Sequence, residues 1–250
     1  MKQKQTITQT VSGINLQAIE RPLSTVDVVI FTVIEELLHV LLVTRPSEAG
    51  EPFPGMWALP GGFVDVQKDV DLESCALRKL LQKTGVKTPY LEQVGSWGGN
   101  KRDPRCWSVT HVYFALIPTP TQNLQGAHNL NAAWFPLEDH RVSVKLAFDH
   151  AKLLEAAIQR LRNKVEYTSL PAYLLPEEFT LSDLQRMYEV VLERPLEKSA
   201  FRTRVLSADL VEPVDKIRGG PNRPAQLYRL TQPQGIVYFP RTFSPRKMIE

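Results

Sequence analysis

The chain has 250 residues, of which 43% are hydrophobic, and its formal net charge is only +3, so it is long enough for one large domain or two small ones. So small a net charge excludes a protein that binds nucleic acid through a global basic field. The charge is uneven, because residues 196–250 carry ten Lys or Arg side chains and five acids, which indicates a basic C-terminal region on a slightly acidic body. Two cysteines, no apolar leader and no membrane-length apolar stretch predict a cytoplasmic protein without zinc, a disulfide framework or a membrane anchor.

The first part of the chain carries strand and helix signals after a polar arm. Residues 1–20 are rich in Gln and Thr and predict a flexible arm, although an arm that reaches DNA or a partner subunit through Lys2 and Lys4 is the alternative. Apolar residues at helical spacing predict helices over 71–84 and 148–165. Because strands with a helix over one face imply an α/β sandwich, we expect that fold class here. The β-branched runs that predict its strands are 26–34, 38–45, 109–117 and 132–137.

A domain boundary is predicted in the second half of the chain. Residues 168–179 contain two prolines and show no periodicity, which indicates a linker. We therefore expect a first domain over 21–167, including the helix at its end, and a second domain over 180–250.

The second domain has the element order of a DNA-binding module. Thr180 with Asp183 three residues later, or Ser182 with Gln185, predicts a capped amphipathic helix. A second helix is expected over 196–210, and a strand, turn and strand over 210–231, with Gly219 and Gly220 in the turn. Helix, short turn, helix and basic hairpin together predict a winged helix-turn-helix.

Residues 59–86 are a degenerate version of a known pattern. The stretch, LPGGFVDVQKDVDLESCALRKLLQKTGV, resembles the Nudix box, GX5EX7REUXEEXGU with U aliphatic, whose glutamates hold divalent metal on a pyrophosphate. The loop before its helix is two residues too long for the pattern. A hard cation needs several carboxylate oxygens, so the sequence predicts no metal site, no catalytic residue and no hydrolysis. The positions that fit are Arg78, Leu80, Gly85 and Val86, and the glutamate positions hold Val70, Lys79, Gln82 and Lys83.

A ligand site is predicted around this degenerate box. Glycines let a backbone approach a diphosphate closely, and the polar stretch 95–108 is expected to be a binding loop between strands. Arg45 would meet phosphate, or it is a surface arginine beside acids; Lys79 would attract the anion, or it belongs to a solvated helix face. Trp57, Phe63, Trp97 and Trp107 are either stacking faces for adenine or core residues. The predicted ligand residues are Arg45, Gly61, Gly62, Phe63, Lys79, Arg102, Asp103 and Arg105.

DNA contacts are predicted on the second helix and the hairpin of the C-terminal domain. A recognition helix reaches base edges with its N-terminal residues, and a basic hairpin lies along the backbone or in the minor groove. Arg204 lies nearer the buried side of this helix than the others. A solvated basic face is the alternative. The predicted DNA-binding residues are Lys198, Ser199, Arg202, Thr203, Arg204, Lys216, Arg218 and Arg223.

The combination resembles the NrtR family, the Nudix-related transcriptional regulators of bacterial NAD metabolism. The segments that carry the resemblance are 59–64, the box helix, 95–105 and 174–189 leading into the winged helix. It implies an N-terminal Nudix α/β/α sandwich with a C-terminal winged helix-turn-helix domain. It also implies a homodimeric repressor on palindromic operators of double-stranded DNA near NAD synthesis or salvage genes. ADP-ribose would be the effector that releases the DNA, and no cofactor is expected.

Two rival functions remain open at this point. One is a divergent Nudix hydrolase that cleaves ADP-ribose with metal held by acids of the lengthened loop, in which the winged helix docks protein. The other is a regulator of a different pathway that senses another sugar nucleotide. The acids available to the first are Asp65, Asp69, Asp71 and Glu73.

Overall fold

A computed structural model describes residues 19–85, 88, 90–118, 132–219, 224–233 and 235–239, without the side chains of residues 83 and 84. The predicted arm up to residue 18, with Lys2 and Lys4, therefore lies outside the described residues. So do Val86 of the Nudix box and Arg223 of the predicted DNA surface. No helix among the described residues is long and apolar enough to cross a bilayer.

A seven-stranded mixed sheet forms the centre of the first half. Its main path runs β3-β2-β1-β6-β5, while β4 pairs with β1 and β7 pairs with β2. The β1–β6 pair is parallel, and the others are antiparallel. The strands are β1 Leu23–Ile34, β2 Leu37–Thr44, β3 Trp57–Ala58, β4 Gly61–Phe63, β5 Tyr90–Gly99, β6 Ser108–Leu116 and β7 Ala132–Pro136.

One helix covers each face of this sheet. Side chains of a strand point alternately to the two faces, so Val26, Val28 and Ile30 pack with helix α1 (Leu72–Thr84). Their neighbours Val29 and Phe31 pack on the other side, with helix α2 (His150–Val165). Burial on both faces explains why this strand is an almost unbroken apolar run, and the expected α/β/α sandwich is confirmed.

The strands predicted over 26–34 and 38–45 pair as a hairpin, and the helix predicted over 71–84 is present as α1. Glu35 and Glu36 both have positive φ, 48° and 64°, as a tight turn between twisted antiparallel strands requires. The Asp71 side chain caps α1 by accepting from the Ser74 N–H at 2.7 Å. Gly85 ends the helix in the left-handed region, with φ of 68°.

The expectation of a loop over 95–108 is wrong for its first half. Residues up to Gly99 belong to β5 and pair with β6. The glycines in this strand make room for aromatic rings: a Cβ at Gly98 would lie 2.8 Å from the Trp107 ring, and one at Gly95 would lie 3.3 Å from the Trp97 ring. Glycine in a strand marks such close approach as often as it marks a turn.

The second half is a winged helix-turn-helix. Helix α3 (Leu181–Leu192) begins with the expected capping box, in which the Thr180 Oγ1 accepts from the Asp183 N–H and the Asp183 carboxylate accepts from the Thr180 N–H. Helix α4 (Lys198–Ser207) is shorter than expected, because the Glu197 carboxylate caps its start. Strands β8 (Val211–Arg218) and β9 (Ala225–Leu230) form the antiparallel wing.

The predicted linker is buried rather than exposed. Thr168 and Ser169 are fully buried, and Leu170–Leu174 form a short 3-10 helix whose five residues are all buried. One continuous apolar core runs from the sheet through α2 and this segment to α3 and α4. Residues 168–179 show no periodicity in sequence because they form a short, irregular segment of the core. The two halves of the chain are therefore packed against each other and not joined by a flexible linker.

Candidate ligand cleft and DNA-binding surface

The predicted ligand residues gather at one cleft beside β4. Seven of the eight line it: Arg45, Gly61, Gly62, Phe63, Arg102, Asp103 and Arg105. The eighth, Lys79 of α1, lies directly behind the cleft, since a Cβ added at Gly62 would come within 2.8 Å of the Lys79 Nζ. Residues from a strand end, a glycine pair, a helix and a distant loop therefore converge on one place.

Both glycines are required by the packing of the cleft. A side chain at Gly61 would collide with the Asp27 carboxylate, and Gly62 has φ of 144°, which favours glycine. The floor of the cleft is consequently bare backbone. A phosphate group could approach the main chain more closely at these glycines than at residues that carry a side chain.

Two arginines stand at the mouth of the cleft, each held by an acid. The Asp103 carboxylate accepts from Arg105 at Nε (3.0 Å) and Nη2 (2.8 Å), and these bonds lower the pKa of the Asp103 carboxyl. The Arg45 Nη2 donates to Glu51 at 2.7 Å, and its Nε donates to the Pro52 oxygen at 2.7 Å. Asp103 thus orients the Arg105 guanidinium, and a contact of Asp103 with the ligand stays a prediction.

Of the four aromatic candidates for stacking, only Phe63 lines the cleft. Its ring is 45% exposed, and the Arg105 guanidinium lies 5.4 Å from the ring centre. Trp57 packs edge-on against Phe135 in the core. Phe63 and Arg105 therefore form an exposed aromatic and guanidinium surface on the wall of the cleft.

A buried polar network beneath the cleft was not found from the sequence. The Asp27 carboxylate accepts from the Thr110 Oγ1 at 2.7 Å, and it lies 3.8 Å from both the Arg102 Nη2 and the His150 Nε2. The Leu59 N–H donates to the His150 Nδ1 at 2.9 Å. Because Nδ1 accepts this N–H, the ring proton lies on Nε2, toward Asp27, and burial lowers the pKa of the His150 imidazole. A lone acid inside the apolar run 26–34 was the available signal.

Three of the four acids available to a hydrolase, Asp65, Asp69 and Asp71, are occupied by structural bonds. Arg78 donates to the two oxygens of Asp69 from Nε and Nη2, each at 2.6 Å, and this holds the pKa of the Asp69 carboxyl well below its ordinary range. Asp71 caps α1, and Asp65 pairs with Lys68 at 3.0 Å. Within the described ranges no three His, Cys, Asp or Glu side chains could together hold a metal ion.

Arg78 is paired with an acid next to the upstream glutamate position. The pattern assigns that position to Val70, whose side chain is 90% exposed. The residue that contacts Arg78 is its neighbour Asp69. This ion pair therefore holds the lengthened loop against α1.

Helix α4 presents a polar face to solvent. Lys198, Ser199, Arg202 and Thr203 are all exposed, while Phe201 and Val205 are buried on the opposite face. Arg204 is exposed as well, and its Nη2 donates to the Glu166 main-chain oxygen at 2.8 Å. This bond directs its guanidinium toward the end of α2, in the first half of the chain.

The basic side chains of the wing are paired with acids next to α3. The Lys216 Nζ lies 2.6 Å from Glu178, and the Arg218 Nη1 lies 2.7 Å from Asp183. Both pairs are exposed to solvent, where such contacts are weak. The two cations therefore remain available to a stronger anion such as a phosphate backbone.

Comparisons with known proteins identify both halves. The NUDIX domain model matches residues 23–157, and the model of the NrtR DNA-binding winged helix domain matches residues 171–230. The ADPR responsive transcriptional repressor NtrR of Acinetobacter baylyi is 48% identical over 220 residues, which cover 88% of this chain and 86% of that protein. The chain belongs to the NrtR family.

Solved structures of an NrtR protein share the architecture. Shewanella oneidensis NrtR complexed with a 27mer DNA is 43% identical, with a TM-score of 0.79, over 87% of this chain and 97% of that one. The NUDIX domain of the same protein complexed with ADP ribose is 44% identical, with a TM-score of 0.52, over 59% of this chain and 94% of that one. The predicted order, a Nudix domain followed by a winged helix, is confirmed.

Removing the acid beside Lys216 should tighten DNA binding by this NrtR-family chain. In Glu178→Gln the Lys216 ammonium keeps its charge but loses its carboxylate partner, so it can neutralise a phosphate. We expect affinity for DNA to rise about two- to fivefold, with a steeper salt dependence. The dissociation constant measured against salt concentration checks this.

The control for this prediction is Asp65→Asn, which breaks the pair with the exposed Lys68 in the loop before α1, within the Nudix half. It should leave DNA affinity unchanged. Weaker binding by Glu178→Gln would instead show that the Lys216–Glu178 pair holds the wing in its DNA-binding position.

Proposed function

We propose that this NrtR-family chain is a transcriptional repressor whose winged helix binds an operator and whose Nudix cleft binds ADP-ribose, which releases the DNA. One observation carries the proposal: a cleft lined by three arginines beside two adjacent glycines is packed through one core onto a helix with an exposed polar face. The cleft could bind a nucleoside diphosphate, and the exposed helix could insert into the major groove of DNA. The names of the Acinetobacter and Shewanella relatives, one a repressor that responds to ADPR and one seen with DNA and with ADP ribose, support it.

The ligand contacts in this proposal follow from the chemistry of the cleft. Arg45 and Arg105 would neutralise the two phosphates, because the planar guanidinium matches phosphate oxygens with paired donors. Lys79 adds a third positive charge behind Gly62. The exposed ring of Phe63 would stack on a flat part of the ligand.

Hydrolysis is not part of the proposed function. A metal-activated water needs an ion held by carboxylates, and the box offers Val70, Lys79, Gln82 and Lys83 at those positions. Asp69 is bonded to Arg78. Incubation with ADP-ribose and Mg²⁺ or Mn²⁺ should therefore release no AMP, whereas turnover lost in Asp69→Asn or Glu73→Gln would favour the hydrolase.

The assembly and the targets extend the same proposal. Two recognition helices of a homodimer would read the half-sites of a palindromic operator, next to genes of NAD synthesis or salvage. A repressor must work where its DNA lies, so we expect it in the cytoplasm.

The proposal is tested by titrating a protein–DNA complex with ADP-ribose. A duplex that the wild-type chain selects from a random-sequence pool serves as the probe, followed by fluorescence anisotropy. We expect ADP-ribose to lower DNA affinity, with NAD and AMP as comparisons. DNA affinity that stays constant at saturating ADP-ribose would refute the proposed release.

Charge reversal at Lys79 should weaken ligand binding without creating an enzyme. In Lys79→Glu the box regains one glutamate, but a negative charge then lies behind Gly62 where the diphosphate binds. We expect ADP-ribose affinity to fall about five- to tenfold, on the order of 1 kcal/mol, and AMP release to stay absent. Calorimetric titration measures the affinity, and Lys152→Glu on the exposed side of α2 is the matched charge control.

A further inference from the structure

The C-terminal end of α2 is bonded to the recognition helix through Arg204. Its Nη2 donates to the main-chain oxygen of Glu166 at 2.8 Å, and Glu166 is the residue that ends α2. The helix macrodipole makes that end negative, so a cation there is stabilising. A side chain of the winged-helix half therefore caps a helix of the Nudix half.

Arg204 is held in this position by the last described residues of the chain. Its guanidinium lies 4.7 Å from the centre of the Phe239 ring, a distance at which a cation is attracted to the ring face. Phe239 is buried, and its N–H donates to the Tyr167 oxygen at 2.8 Å. It lies beyond residue 230, where the match to the winged-helix model ends.

The opposite end of α2 lies at the floor of the ligand cleft. Arg102 donates to the carboxylate of Asp149, the residue before α2, from Nε (3.2 Å) and Nη2 (3.0 Å). His150, the first residue of α2, lines the cleft and accepts from the Leu59 N–H. With 16 residues, α2 spans about 24 Å between the cleft and the recognition helix.

Helix α2 is packed as a rigid connection along this length. Its apolar stripe is buried in the core that both halves share. Near its C-terminal end, the Arg162 Nε donates to the Val191 oxygen of α3 at 3.0 Å. A displacement of α2 at its cleft end is therefore transmitted to both α3 and α4 of the DNA-binding domain.

We propose that Arg204 is a positioning residue that transmits effector binding to the recognition helix through Glu166 and α2. The inference rests on the proposed release of DNA by ADP-ribose. A diphosphate in the cleft competes with Asp149 for Arg102 and so disturbs the start of α2. The displaced helix carries the acceptor of Arg204 with it, and α4 moves relative to the duplex. Arg204 thus contributes to the coupling between the two ligands rather than to either affinity.

The test is the ratio of DNA dissociation constants with and without saturating ADP-ribose, measured by anisotropy on the selected duplex. In Arg204→Gln we expect this ratio to fall by about fivefold or more, while the affinity for each ligand alone stays within about threefold. Arg204→Lys, which keeps the charge and a donor, should retain more of the ratio than Arg204→Gln does.

The matched comparison is Arg202→Gln, which removes the same charge two residues earlier on α4. It should weaken DNA binding and leave the ratio unchanged. Weakened DNA binding with an unchanged ratio in Arg204→Gln would make Arg204 a DNA contact and overturn the inference.

A second variant keeps the test decisive if Arg204→Gln fails to fold. Arg162→Gln breaks the α2–α3 bond from the Nudix side and should also lower the ratio, so an unchanged ratio there overturns the inference. If the wild-type chain itself gives a ratio of DNA dissociation constants near one, ADP-ribose does not release DNA. That result contradicts the proposed function and, with it, this inference. A normal wild-type ratio that both variants keep removes the inference alone.

Discussion

Replacing Arg202 by alanine is expected to weaken operator binding by about 10- to 100-fold, the equivalent of 1–3 kcal/mol for one lost base or phosphate contact. Arg202 is exposed on α4 beside Thr203, opposite the buried Phe201. Because the side chain packs against nothing in the core, its loss should leave folding and ADP-ribose affinity unchanged. Anisotropy on the selected duplex measures the DNA affinity, and calorimetry measures the ADP-ribose affinity.

The control for Arg202 is Arg160→Ala on the exposed side of α2. Arg160 donates to the Val94 oxygen at 3.1 Å within the Nudix half, so its substitution removes one positive charge far from the winged helix. We expect less than about a twofold change in DNA affinity, because charges beyond a Debye length are largely screened. If Arg202→Ala and the wild-type chain bind the duplex equally well, Arg202 does not contact DNA.

Leu161→Ala should destabilise the whole chain by about 2–5 kcal/mol, the usual cost of a buried leucine reduced to alanine. Leu161 is fully buried on α2, in the core shared by both halves. Because the segment 168–179 is part of that core, we expect the two halves to unfold in a single transition. Independent domains on a flexible linker would show two transitions, with only the first half destabilised.

Two probes distinguish these outcomes at a fixed protein concentration. The four tryptophans all lie between residues 57 and 134, so their fluorescence reports on the Nudix half, while hydrogen exchange of α3 reports on the winged helix. Leu81→Ala on α1 is the matched control, because that leucine is 47% exposed and its truncation should cost less than about 1 kcal/mol. Midpoints that separate between the probes would contradict the shared core.

Most of the helices and strands could be predicted from the sequence, because local residue patterns determine them. β-Branched runs predicted the strands of the β1–β2 hairpin, helical spacing predicted α1 and α2, and the cap at the start of α3, the second helix and the glycine turn predicted the winged helix. The edge strand β5 was missed because its glycines resemble a turn, and only the rings of Trp97 and Trp107 lying over them explain a strand there.

The candidate site was predictable in its surface residues and not in its interior. Glycines and arginines around the degenerate box indicate a phosphate cleft by their chemistry alone. In the network beneath the cleft, Asp27 lies 75 positions from Arg102 and 123 positions from His150 in sequence, and no local pattern connects residues so far apart. The same holds for Arg204, whose partner Glu166 is 38 residues away.

The reciprocal effect of DNA on ADP-ribose binding tests most directly whether the cleft and the recognition helix form one coupled system. Calorimetry would give the ADP-ribose dissociation constant for the free chain and for the chain saturated with the selected duplex. We expect DNA to weaken ADP-ribose binding by the same factor by which ADP-ribose weakens DNA binding, because the two free energies are linked. Equal ADP-ribose affinity with and without the duplex would contradict this coupling.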